Sequence, residues 1–158
     1  MLSILGIDPG TGTVGFGCIR ADKSRLEMAG AGVIRTPAHQ ADELRLLTIY
    51  EEINQLVAEF KPDCISIEKL FFARNVTTAM SVSQSRGVVL LAATQAKLTI
   101  AEYTPLQIKM AITGYGRADK RQMQEMVKLL LKLDSIPKPD DAADALAAAI
   151  THAQFAAK

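Results

Sequence analysis

The chain has 158 residues, 49% of them apolar and 22% charged, with two cysteines, two histidines and a formal net charge of +1. That length suits one domain with a substantial core, and the longest apolar run, "GVVLLAA" at 87–93, falls far short of the roughly 18 residues a membrane span needs. Cys18 and Cys64 lack CxxC spacing and read as small buried hydrophobes, so an all-His/Cys zinc site is not expected and any metal has to be held by oxygen. No basic leader precedes the first apolar residues, so a secretory signal is not expected and the expected location is the cytoplasm. The small net charge conceals an asymmetry. Residues 36–68 carry seven acidic and two basic side chains, whereas residues 69–138 carry eleven basic and four acidic ones. The basic half is able to form a phosphate-facing surface.

In chain order, residues 3–8 read as a buried strand ending at Asp8-Pro9-Gly10, followed by a turn and a second strand over 14–20. The segment 26–35, "LEMAGAGVIR", reads as a third strand despite its glycines. Leu46, Ile49, Tyr50, Ile53, Leu56, Val57 and Phe60 recur at helical spacing and predict an amphipathic helix over 41–60. Lys61-Pro62-Asp63 breaks it, and "CISIE" at 64–68 predicts a short buried strand ending in Glu68. Asn75 is placed to cap a long helix through about residue 96, and a fifth strand follows over 98–103. Thr104-Pro105 opens a short helix, "GYG" at 114–116 makes a link, and Asp119 caps the next helix. Pro137 and Pro139 precede an alanine-rich final helix through about Ala156. The order is three antiparallel strands, then alternating helices and parallel strands, which predicts an α/β fold with a mixed five-stranded sheet and helices on both faces.

Gly10-x-Gly12-x-x-Gly15 fits the dinucleotide-binding fingerprint in its letters. That motif must open a helix and be followed about 20 residues on by an acid that holds the ribose. Here the next residues, "FGCI", read as strand, and 28–41 contains neither Asp nor Glu, so the cofactor reading is rejected.

Asp8 and Glu68 end otherwise apolar strands, where a lone carboxylate is costly unless it is paired or metal-bound. Singly, each has an ordinary explanation: Asp8 shapes a turn with Pro9 and Gly10, and Glu68 pairs with Lys69 or Arg74. Asp140 and Asp141 lie in the first turn of the final helix, where the dipole favours acids. Asp144 shares a face with Asp141, and that face is otherwise largely alanine, suited to lying close against a sheet. Carboxylates from two strand ends and one helix face, brought together, repel one another and raise each other's pKa. A pair of hard divalent cations resolves that repulsion and suits attack of water on a phosphodiester.

"LGIDPG", "IEKLFFARN" at 67–75 and "DAADALAAAITH" at 141–152 resemble, in order and spacing, the RuvC family of Holliday-junction resolvases, and the likeness runs from Met1 to about Gln154. The resemblance implies a single ribonuclease H-like nuclease domain over 1–156 and a homodimeric, Mg²⁺-dependent endodeoxyribonuclease. Such an enzyme nicks two strands of like polarity at a four-way DNA junction in recombination and repair, with RuvA–RuvB as branch-migration partners. By position, Asp8, Glu68, Asp141 and Asp144 match the catalytic, metal-holding carboxylates; Asp140 is left as a cap residue. Asp8, on a central strand, is best placed to bridge two Mg²⁺ ions, for which Mn²⁺ is an alternative. Glu68 then holds one ion, and Asp141 and Asp144 the other.

Lys109 and Lys120 match lysines that the family uses near the scissile phosphate, and Phe71 matches a residue that inserts or stacks at the junction point. Phe72 is assigned to the core. Arg74, Arg86, Arg117 and Arg121 are weaker candidates for backbone contacts, and His152 is read as structural. The helix over 76–96 is the expected dimer contact. Three other readings compete: a phosphotransferase lobe, whose fold needs a second lobe that 158 residues cannot supply; an RNA nuclease of the YqgF type; and a non-catalytic junction-binding module.

Overall fold

The computed structural model describes residues 1–10, 12–23, 25–69 and 76–157. Strands β1 (Leu2–Asp8), β2 (Thr13–Asp22) and β3 (Arg25–Arg35) lead to helix α1 (Asp42–Phe60), strand β4 (Cys64–Glu68), helix α2 (Val76–Gln95) and strand β5 (Thr99–Tyr103). Helices α3 (Pro105–Thr113), α4 (Lys120–Leu130) and α5 (Asp140–Ala156) complete the chain. The sheet order is β3-β2-β1-β4-β5. The β1–β2 and β2–β3 pairs are antiparallel, whereas β4 runs parallel to both β1 and β5. This mixed, two-sided sheet is the one that the order of elements predicts, and it fits the ribonuclease H-like fold that the family resemblance implies.

Strand periodicity divides the core in two. Leu5 and Ile7 of β1 and Ile65 and Ile67 of β4 point to the α1/α2 side, where Ile49, Ile53, Val89, Ala92 and Ala93 meet them. Ile4 and Cys64 point the other way, into a second cluster with Ile108, Ile112, Val127, Leu146 and Ile150 of α3, α4 and α5. By the same alternation Asp8 and Glu68 lie on the α5 side of the sheet. The β1–β4 register pairs Ile7 with Ile67, so its next step brings Asp8 abreast of Glu68.

Helix α5 lies unusually close to β1 and β2, because small residues meet there from both sides. A Cβ on Gly6 would fall 1.9 Å from the Ala145 carbonyl oxygen, and one on Gly15 would fall 2.0 Å from that of Asp141. Ala142, Ala143, Ala145, Ala148 and Ala149 of α5 are all buried in this contact region. Gly15 thus has a packing role, in agreement with rejection of the dinucleotide motif. Pairing also explains why β3 survives its glycines. Gly30 lies under the Phe60 ring and Gly32 under the Phe16 ring, each ring occupying the space a side chain would fill.

The helix ends follow local chemistry. Thr104 and Asp119 each form a reciprocal capping box, with Gln107 and Gln122 respectively. Helix α1 ends at Lys61 in the left-handed conformation, φ 46°, with its N–H donated to the Val57 carbonyl. Cys18 and Cys64 are free and buried, as expected. The segment holding Phe71, Phe72, Arg74 and Asn75 lies outside the described residues.

Candidate active site

The site forms where the C-terminal ends of β1 and β4 meet the first turns of α5, the crevice in which open α/β sheets bind ligands. Asp8, Asp141 and Asp144 are half-buried, and each offers a carboxylate oxygen lying within 4.8 Å of those of the other two. Gly15 is the β2 partner of Asp8, and its missing side chain lets the Asp141 backbone settle against the strand pair. The spacing of Asp141 and Asp144 puts both on the sheet-facing side of one helical turn.

Burial and neighbouring carboxylates disfavour the charged forms of Asp8, Glu68 and Asp144. Burial pushes the Asp8 carboxyl up to about 8, reinforced by the charges of Asp144, Asp141 and Glu68 and by a hydrogen bond with Asp141. Burial likewise raises Glu68, which Asp144 pushes further while Lys109 pulls it back. Asp144 is raised by burial against the opposing pull of Lys120. The donor set is all oxygen, and among the described residues no imidazole or thiolate joins the group, which fits a hard divalent cation.

Glu68 takes a different place from the other three carboxylates. It stands outside the tight group and instead lines an adjoining cleft of about 250 Å³ together with Asp144, Lys109 and Lys120. It sits on the strand next to that of Asp8, one strand spacing along the sheet. The two lysines singled out in the sequence therefore flank the carboxylates from α3 and from the first residue of α4.

Asp140 requires a correction. It does not cap α5, because the N-cap position is Pro139 and no side-chain cap bond forms there. Asp140 reaches across to α4 instead: its Oδ2 lies 3.4 Å from Lys120 Nζ, and its Oδ1 accepts a 3.0 Å hydrogen bond from Gln124 Nε2. Lys120 Nζ also lies 3.6 Å from Asp144 Oδ2. Burial works against the charge on Lys120, but Asp144 and Asp140 outweigh it and raise its pKa.

Two supporting residues, Ser66 and Tyr103, carry little signal in the sequence. Ser66, fully buried on β4, donates a 2.6 Å hydrogen bond to the Ala148 carbonyl of α5 and ties the Glu68 strand to the helix of Asp144. Its signal was a hydroxyl in an otherwise apolar strand. Tyr103 joins His152 through a 2.8 Å contact to Nδ1 and stacks at a tilt on Phe155, consistent with a structural histidine. Arg86, a weaker candidate for backbone contact, is engaged by Glu102 of β5. Phe71 and Arg74 fall outside the described residues.

Comparison with known proteins shows the family. A family model described as "Crossover junction endodeoxyribonuclease RuvC" matches residues 4–152. A protein of that name from Desulfitobacterium hafniense is 57% identical over 150 residues, covering 95% of this chain and 91% of the relative. Another from Brevibacillus brevis is 54% identical over 156 residues, covering 99% of this chain and 94% of the relative. Among solved structures, Thermus thermophilus RuvC in complex with Holliday junction substrate superimposes with a TM-score of 0.94 at 32% identity, covering 99% of this chain and 96% of that one. The likeness therefore extends over nearly the whole chain and includes the strands and helices that carry the carboxylates, and the chain belongs to the RuvC family of crossover junction endodeoxyribonucleases.

Proposed function

We propose that this chain resolves four-way DNA junctions by nicking two strands of like polarity, as a homodimer whose single nuclease domain spans 1–156. The observation that carries the reading is the trio Asp8, Asp141 and Asp144 with oxygens within 4.8 Å, flanked by two lysines in one cleft. The 32%-identical Thermus structure, which contains a Holliday junction, supports the substrate.

In this reading Asp8, Glu68, Asp141 and Asp144 hold two divalent cations, Mg²⁺ by preference and Mn²⁺ as a substitute. When bound, such ions lower the pKa of the attacking water and offset charge on the leaving oxygen. The protein's own part is placement. Asp8 on a central strand and Asp141 on α5 fix the centre of the site, and Glu68 sets its outer wall. Lys109 and Lys120 bring positive charge to where a phosphate gains negative charge during cleavage. Phe71 and Arg74 act at the junction point and the backbone respectively.

Exposed apolar side chains on α1 and α2 support self-association through these helices: Leu44, Leu47, Met80 and Leu91 are 47%, 49%, 64% and 53% exposed. A C₂ dimer presents two identical sites to two equivalent strands. RuvA–RuvB partnership follows from the family resemblance, and a cytoplasmic location suits a chain in which no described helix is long and apolar enough to cross a membrane.

The test is cleavage of a labelled, branch-migratable junction with Mg²⁺ beside linear duplex of the same sequence, with Asp8→Asn in parallel. Paired symmetric nicks in the junction alone, lost in the variant while binding persists, are expected. Equal cutting of the linear duplex, or binding with no cutting in either metal, overturns the reading.

A further inference from the structure

Lys120 faces two carboxylates of different standing. Asp144 belongs to the tight oxygen cluster, whereas Asp140 lies outside it and is 62% exposed. An oxygen of Asp144 cannot serve an ammonium and a divalent cation equally well, because the two positive charges compete for it. Once a cation takes Asp144, the remaining partner of Lys120 among the described residues is Asp140.

Asp140 is also itself held in place. Its two oxygens are divided between Lys120 and Gln124, which stand one turn apart on α4. The α4 terminus is fixed by the Asp119–Gln122 capping box directly before Lys120. A free lysine on four rotatable bonds has wide freedom, and a carboxylate anchored on its far side narrows it. We infer that Asp140 is a positioning residue, which keeps the Lys120 ammonium over the cleft when the cluster carboxylates are engaged by cations. This inference rests on the junction-nuclease reading for its consequence in catalysis, but the coupling between Asp140 and Lys120 has a readout of its own.

The bland alternative is that Asp140 merely complements the positive end of α5. A double-mutant cycle separates the two, since an effect exerted through Lys120 must vanish with Lys120. Asp140→Asn, Asp140→Glu, Lys120→Met and the Lys120→Met/Asp140→Asn double variant are compared. The Lys120 and Asp140 side chains are 56% and 62% exposed, so these changes leave the fold intact.

With saturating protein and a single turnover, Asp140→Asn is expected to slow junction cleavage about tenfold without weakening junction binding, and Asp140→Glu to recover most of the rate. The second readout is Mn²⁺ binding without DNA, followed by electron paramagnetic resonance. There Asp140→Asn lowers affinity at least about threefold more when Lys120 is present than in the Lys120→Met background. Equal losses in both backgrounds, or no loss in either, overturn the inference. If the wild-type protein cuts no junction while the Mn²⁺ cycle shows the coupling, the junction reading fails and the pairing stands. If junctions are cut and the cycle is additive, the positioning role alone fails.

Discussion

Gly15 and Asp141 meet backbone to backbone: a Cβ on the glycine would lie 2.0 Å from the aspartate's carbonyl oxygen. Since Gly15 is the strand partner of Asp8, this one contact sets the distance between a strand carboxylate and a helix carboxylate. Gly15→Ala is therefore expected to do two things. It destabilises the fold by about 1–3 kcal/mol, because α5 has to move or the strand has to bend. It also slows junction cleavage by about a hundredfold, since a shift of an ångström at Asp141 spoils the cluster. Denaturant melts and single-turnover cleavage read the two effects; a fully active variant refutes the assignment of the contact.

Asp8 gives a stability signature that depends on pH. Its folded pKa, raised to about 8, stands above its ordinary value of 3.8. Between those values the unfolded chain has lost the proton that the folded state keeps, so stability falls as pH rises through that window. Asp8→Asn removes the liability. Without divalent metal, the variant is expected to melt at least about 3 °C above wild type at pH 8, on the order of 1 kcal/mol, with no such gain at pH 4. Adding Mg²⁺ or Mn²⁺ raises the wild-type Tm at pH 8 and leaves that of Asp8→Asn nearly unchanged. Thermal melts at the two pH values, with metal and with chelator, check the whole pattern.

Ser66 pins the strand of Glu68 to α5 through the Ala148 carbonyl. Ala148 lies well inside α5, so its carbonyl has a helical partner when the serine hydroxyl is removed. Ser66→Ala is thus expected to cost about 1 kcal/mol and to reduce cleavage by less than about tenfold, far less than removal of a site carboxylate. A loss of activity as large as that of Glu68→Gln indicates instead that the hydroxyl acts in the site itself.

Lys61 ends α1 with φ 46°, a conformation costly for a residue with a side chain. Lys61→Gly keeps the backbone bond to Val57 and relieves that cost. The expected result is unchanged or higher stability, by up to about 1 kcal/mol, with unchanged cleavage. A marked loss of junction affinity shows that this lysine contributes to the DNA surface.

The sequence by itself determined the elements and their order, because each is encoded inside its own segment. The short apolar segments "LGID" and "CISIE" put Asp8 and Glu68 at strand ends, a period near 3.6 marked α1, and Thr104 and Asp119 announced the helices they cap. The asymmetry of charge and the all-oxygen donor set were likewise readable residue by residue. Only the tertiary structure decided which carboxylates touch. It drew Asp8, Asp141 and Asp144 into one cluster and left Glu68 on the adjoining wall. It turned Asp140 from an expected cap into a partner of Lys120 and Gln124, and it showed Gly6 and Gly15 to be the floor on which α5 rests. The physical reason is that ångström-scale distances between a helix and a sheet are set by close packing of residues far apart in the chain. A one-dimensional pattern records which face a side chain takes, and packing alone records how near that face comes to its neighbour.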